Sequence, residues 1–192
     1  MTQPRIRSLT IAVALGAAAL LAVLYGIGTL TVHAPLGPPA SLARLVSAKT
    51  PQTVAEVAFA GIDGQRHTLA EFKGHYILLN LWATWCAPCV KELPALAQLQ
   101  AAMPRHRLDV VAVDVARGTP ADAAAFLRSH GATRLAVYVD TDLALMRAFG
   151  AYGLPLTVLI DDKGREMARS VGPADWAAPD AIRYFQDLTA GG

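Results

Sequence analysis

An α/β domain, with a mixed central sheet covered by helices on both faces and one apolar N-terminal span ahead of it, is the fold class that this sequence of 192 residues predicts. Three observations carry the prediction. From residue 52 onward strand-like and helix-like segments alternate, the pattern of a sheet layered between helices. Tyr76 to Trp82 is apolar almost without a break, as a strand buried on both faces is. Leu9 to Val32 is a run of 24 residues without Asp, Glu, Lys or Arg.

That run explains a low charged fraction, 17%, against a usual ~25%. At ~1.5 Å per residue it exceeds the ~30 Å hydrocarbon core of a bilayer. Arg5 and Arg7 precede it and the next formal charge is Arg44, so the positive-inside rule keeps residues 1–8 in the cytoplasm and exports the chain beyond the span. A cleaved signal peptide has an apolar region of ~7–15 residues, and although Val32-His33-Ala34 has a small-x-small form, Pro35 comes directly after it. Length therefore favours a retained anchor over residues 9–32. Residues 33–51, with Pro35, Pro38, Pro39 and Pro51, are predicted as a linker with a short helical piece at Leu42 to Ala48. Residues 52–192 are predicted to form the exported domain.

Within that domain, 56–60 and 65–69 flank Gly61-Ile62-Asp63-Gly64 as a β-hairpin. The buried strand 76–82 leads into a helix at 87–103, whose apolar positions recur at helical spacing and which Pro94 should kink or offset. A strand at 108–115 comes next, then a helix at 121–130 entered through Thr119-Pro120 and left at Gly131. A short strand at 134–139 precedes a helix capped by Asp140, Thr141 or Asp142 and stopped at Gly150. The strand at 156–160 turns through Asp161 to Gly164 into an antiparallel partner at 165–170, and a last helix runs from 176 to 188.

Composition excludes several classes. With 17 Lys+Arg against 15 Asp+Glu, net charge +2, the chain lacks the excess needed for a basic face, and no nucleic-acid partner is predicted. Gly (15) and Pro (12) are near average, so the chain is not low-complexity. Two cysteines are too few for a disulfide scaffold or a four-thiolate zinc site.

Both cysteines lie in Trp85-Cys86-Ala87-Pro88-Cys89, directly after the buried strand and at the opening of a helix. Free N–H groups and the positive end of the helix macrodipole favour a thiolate at Cys86, while Cys89 lies one turn on and less exposed. Pro88 suits a first turn. A c-type haem site requires His after the second cysteine, where this chain has Val90. Zinc lacks two further ligands, since His106, the nearest downstream histidine, falls near a helix end with no partner beside it. A purely structural disulfide stays open as the competing interpretation, although it needs neither the strand–helix placement nor the tryptophans nor the proline. Trp85 is predicted as a partly exposed wall beside Cys86 and Trp82 as core. His67, His75 and His130 are taken as surface or turn residues, and no metal site is assigned.

The run from Asn80 to Pro94 resembles the active-site segment of the thioredoxin-like superfamily, in the membrane-anchored, exported branch that contains TlpA and ResA. Gly153-Leu154-Pro155-Leu156-Thr157, continued to Asp161, is similar to that branch's cis-proline loop. Gly172-Pro173-Ala174-Asp175-Trp176 resembles the entry to the last helix in TlpA-type proteins, to which the likeness is closest. The resemblance implies a thioredoxin-like fold with residues 119–139 as a central insert. It implies a cis Pro155 opposite the cysteines, a substrate surface including Trp85, Ala87, Pro88 and Leu154, and pairing of the Leu154 backbone with an extended substrate segment.

Asn80 stands where ordinary thioredoxins carry a buried Asp, and an amide cannot move protons. Glu92 resembles the acidic residue such proteins keep near the dithiol, where it would raise the thiol pKa and accept a proton from Cys89. The alternative is a solvated helix glutamate. The implied activity is that of a thiol–disulfide oxidoreductase, single-pass in a bacterial inner membrane with its domain in the periplasm and with no cofactor beyond the Cys86–Cys89 pair. Cys86 would attack a partner disulfide and Cys89 would resolve the mixed disulfide. Ala-Pro between the cysteines, without His, favours a reductant. The implied partners are apocytochromes c, or the copper site of a haem–copper oxidase and its copper chaperone, with a membrane thiol-electron donor. A disulfide-introducing oxidase and a copper-binding assembly factor are the alternatives; against the second, the only histidine after His106 is His130.

Overall fold

A computed structural model of the chain describes residues 37–104 and 106–190. The predicted segments 1–8 and 9–32 lie outside the described residues; among the described residues no helix is long and apolar enough to cross a membrane. Eight strands form one mixed sheet: β1 (Leu45–Thr53), β2 (Ala58–Gly61), β3 (Arg66–Thr68), β4 (Tyr76–Trp82), β5 (Leu108–Asp114), β6 (Tyr138–Val139), β7 (Leu156–Ile160) and β8 (Arg165–Val171). Their spatial order is β1-β8-β7-β4-β5-β6-β2-β3. Among the described residues four α-helices accompany them: α1 (Ala87–Ala102), α2 (Pro120–Ser129), α3 (Ala144–Ala148) and α4 (Pro179–Ala190).

β4 is the centre, parallel to β5 and antiparallel to β7. Its residues from Ile77 to Trp82 are all buried, as the unbroken apolar run requires. Asn80, Thr157 and Ser170 stand opposite one another across β4, β7 and β8. Glu92 of α1 bonds Asn80, and Trp176, just before α4, bonds Glu92, so these elements cover that face. Arg169, next to Ser170 and therefore on the other face, donates to the carbonyl of Phe149 just after α3. Helices thus flank both faces.

The expected linker over 33–51 requires correction from residue 37 onward, residues 33–36 lying outside the described residues. Residues 45–53 are β1, an edge strand on β8 with Leu45 opposite Ser170 and Thr53 opposite Arg165. The helical piece expected at 42–48 is replaced by a short 3-10 turn at Ala40–Leu42. Leu42 and Leu45, 0% and 3% exposed, pin this segment to the core. The strand covers an edge that β8 would otherwise leave open, and Pro51 falls in the irregular stretch between Ser47 and Gln52 where no ladder bond is lost. The folded domain therefore begins before residue 52.

Other boundaries also move. β6 is two residues rather than 134–139, because parallel pairing with β5 starts only at Val113 and β5 ends at Asp114. Leu143, at φ 56, holds the N-cap position of α3 without a side-chain bond, while the Asp140 carboxylate accepts from the Leu145 N–H at 2.7 Å. α4 starts at Pro179 rather than 176, and Trp176 is buried in the loop ahead of it. α2 is entered through Thr119-Pro120 as expected, and a Thr119–Asp122 capping box closes its first turn.

Candidate active site

β4 ends at Trp82, and soon after it Cys86 becomes the N-cap of α1, with extended backbone (φ −88°, ψ 94°). Its Sγ accepts the Cys89 N–H at 3.3 Å, which satisfies one of the N–H groups left free at a helix start. Cys86 and Cys89 are joined as a disulfide. Cys86 is 6% exposed and Cys89 0%, so the Cys86 sulfur is the more accessible of the two and Cys89 is fully buried. Trp85 is 72% exposed beside them, and Ala87 and Pro88 are exposed on the first turn, where Pro88 leaves no N–H unpaired.

The Leu154–Pro155 peptide is cis. Leu156 pairs with Leu81, so this bond lies at the end of β7 beside the end of β4 from which Cys86 departs. Pro155 is buried and Leu154 half-buried, and the Gly172 N–H donates to the Pro155 carbonyl at 2.9 Å, joining two loops of this rim. Gly172 has φ 93°, a backbone that a side chain would strain.

Glu92 is 4% exposed, so the solvated alternative is set aside. Its Oε1 accepts from Asn80 Nδ2 at 2.9 Å, and its Oε2 accepts from Trp176 Nε1 at 3.0 Å and the Ala174 N–H at 3.3 Å. Asn80 Nδ2 also donates to Thr157 Oγ1 at 2.9 Å. Burial pushes the Glu92 carboxyl above the usual carboxylate range, and the three donors only partly offset it. Among the described residues Asn80 Oδ1 has no partner. The carboxyl therefore links α1 to β4, to β7 through Asn80, and to the loop before α4.

Two parts of the site have no local signal in the sequence. A groove of about 660 Å³ runs beside the first turns of α1, walled by Arg44, Ala87, Pro88, Lys91, Glu92 and Ala174. Arg44 comes from the segment expected to be linker. Tyr152, three residues before Pro155, is 89% exposed at the same rim. At the other end of β4 lies a further correction: His106 is not alone, because the His75 ring stands 5.0 Å from it, centre to centre.

The profile of the Redoxin family matches residues 46–184. Thiol-disulfide oxidoreductase ResA of Geobacillus thermodenitrificans is 30% identical over 114 residues, 59% of this chain and 64% of the relative. The Bacillus subtilis protein of that name is 35% identical over 103 residues, 54% of this chain and 56% of the relative. The match thus spans less than two thirds of these relatives' length. A crystal structure of a thiol:disulfide interchange protein DsbE from Chlorobium tepidum superposes with a TM-score of 0.63 at 29% identity, covering 76% of this chain and 100% of that one. With a matched region that runs from β1 into α4 and takes in the cysteine pair, Glu92 and the cis-proline rim, the chain belongs to the Redoxin family.

Proposed function

We propose that this protein is a thiol–disulfide oxidoreductase that reduces cysteine pairs in exported apo-proteins. The observation that supports it most is the placement of the disulfide: at a helix N-terminus after the central strand, its first sulfur outermost and a buried carboxyl one turn beyond the second. In the reduced state the Cys86 thiolate, favoured by the helix N-terminus, attacks one sulfur of the partner's disulfide. The partner's other sulfur leaves as a thiolate and takes up a proton. Cys89 gives its proton to Glu92 and attacks Cys86 Sγ, which expels the partner's second thiolate and leaves the Cys86–Cys89 bond. Two electrons have then passed to the partner, and a dithiol donor in the membrane restores the reduced form.

Ala87-Pro88 between the cysteines offers no imidazolium to hold the thiolate strongly, which supports a reducing direction. The relatives named thiol-disulfide oxidoreductase ResA support the reaction class, and the uncharged run from Leu9 to Val32 behind Arg5 and Arg7 supports a membrane-anchored position facing the periplasm. Apocytochromes c and the copper site of a haem–copper oxidase or its chaperone are the substrate classes proposed. Trp85, Ala87, Pro88, Leu154 and Pro155 would bind the partner's segment, with the Leu154 backbone adding it as a strand.

Cys89→Ser tests the mechanism, since it stalls the reaction at the mixed disulfide. A covalent partner recovered from the native membrane, releasable by dithiothreitol, is expected, and no such partner would overturn the reaction order. A midpoint potential below about −200 mV is expected for the reductant, whereas one near −120 mV would make the chain an oxidase.

A further inference from the structure

We propose that His75 and His106 bind a borderline divalent transition-metal ion, such as Zn2+ or Cu2+, with Asp109 orienting the His75 ring. The two histidines are 31 residues apart in sequence. His75 immediately precedes β4, and His106 and Asp109 bracket the start of β5. The parallel register sets Tyr76 opposite Leu108 and Ile77 opposite Asp109, and the Tyr76 N–H donates to the Arg107 carbonyl at 3.0 Å. The turn after α1 is thereby docked onto the start of β4.

His75 donates through Nδ1 to Asp109 Oδ2 at 2.8 Å. That bond fixes the tautomer, so Nε2 carries the free lone pair, as in carboxylate–histidine–metal arrangements. The ring centres of His75 and His106 are 5.0 Å apart. A metal–nitrogen bond of ~2.0–2.1 Å, plus roughly 1.2 Å from nitrogen to ring centre, puts each centre about 3.2 Å from a shared ion. Centres at the observed 5.0 Å then subtend roughly 100° at that ion, close to the tetrahedral angle. His106 holds φ 61°, a left-handed backbone uncommon for a residue with a side chain, in a turn closed by the Arg107 N–H on the Pro104 carbonyl.

The other histidines of the described residues are engaged elsewhere. His67 has a carboxylate on each ring nitrogen, Asp63 and Glu71, and His130 stacks on Phe126 with its Nδ1 at the Phe126 carbonyl. Among the described residues no group of three His, Cys, Asp or Glu side chains is arranged as a ready cage. The ion would keep water in its remaining positions and exchange. Two neutral imidazoles select Zn2+, Cu2+ or Ni2+ over Mg2+ or Ca2+. The seven residues of β4, about 23 Å of strand, separate the site from Cys86. Its failure and that of the proposed redox reaction are thus independent.

The test uses the full chain in detergent, oxidised so that no thiolate competes. Calorimetric titration with Zn2+ and electron paramagnetic resonance with Cu2+ should show one ion per chain with two imidazole nitrogens. His75→Gln and His106→Gln should each weaken binding at least tenfold, and Asp109→Asn by about tenfold or more. Zn2+ should raise the unfolding temperature of the unmutated chain and not of the double histidine variant. His33→Gln should leave binding unchanged. Absence of saturable binding, an unchanged affinity in either single histidine variant, or loss of the site in His33→Gln would overturn the proposal.

Discussion

Burial puts the Glu92 carboxyl where three N–H donors, rather than water, face its oxygens. Truncation to Glu92→Ala would leave the side-chain donors of Asn80 and Trp176 buried without that acceptor. At ~1–3 kcal/mol per stranded donor, a loss of about 2–6 kcal/mol is expected in urea unfolding of the oxidised chain. Glu92→Gln should cost less: its carbonyl oxygen can still accept from Trp176 Nε1 and the Ala174 N–H, so that only the Asn80 contact is lost. The pH dependence has a definite sign. Because burial raises the folded pKa above the unfolded one, the folded chain holds the proton more tightly. That contribution is complete below the unfolded value and is lost as pH rises through the folded one. The stability of the unmutated chain relative to Glu92→Gln should therefore fall as pH rises out of the ordinary carboxylate range and through the raised folded value; a difference flat with pH would show a carboxyl with no shift. In the reduced protein, removing a negative charge should move the alkylation profile of the cysteines to lower pH.

Among the elements, β4, α1 and β7 were legible because their signals are local: an unbroken apolar run, helical spacing after a cysteine pair, and a strand next to a turn. β1 was not, because an edge strand that is mostly exposed and contains Pro51 has no pattern of its own, and only the β8 edge makes it a strand. Glu92 shows the same limit within the site. Its spacing from Cys89 could be read along the chain, but its burial depends on Trp176, 84 residues away. The two imidazoles at the start of β4 and β5 likewise meet only through strand register. The edge strand carries a prediction of its own. A domain starting at residue 37 should fold, whereas one starting at 54 exposes the β8 edge and the cavity left by Leu42 and Leu45, and should unfold at lower urea or aggregate. In the longer form, Leu42→Ala should cost ~2–5 kcal/mol, as expected for a fully buried leucine. Equal stability of the two domains would return residues 45–53 to the status of a linker.

At the scale of the whole molecule, the direction of electron flow and the stability of the fold are two sides of one thermodynamic cycle. Folding, and forming the Cys86–Cys89 bond, can be taken in either order, so the fold's preference for the bonded form equals the bond's preference for the folded chain. Strong oxidants of this chemistry owe their potential to a stabilised reduced form. The oxidised protein has features of the opposite case. Cys86 Sγ already accepts the Cys89 N–H at the helix start, no histidine between the cysteines waits to pair with a thiolate, and a carboxyl under pressure to stay neutral lies one turn away. Reduction would place a thiolate near that carboxyl and disfavour charge on both. The oxidised chain should therefore unfold at a higher temperature than the reduced chain at pH 7, with the gap narrowing in Glu92→Gln. Paired calorimetric scans with and without a dithiol check this. A reduced chain that melts higher would reverse the proposed direction while leaving the sulfur chemistry intact.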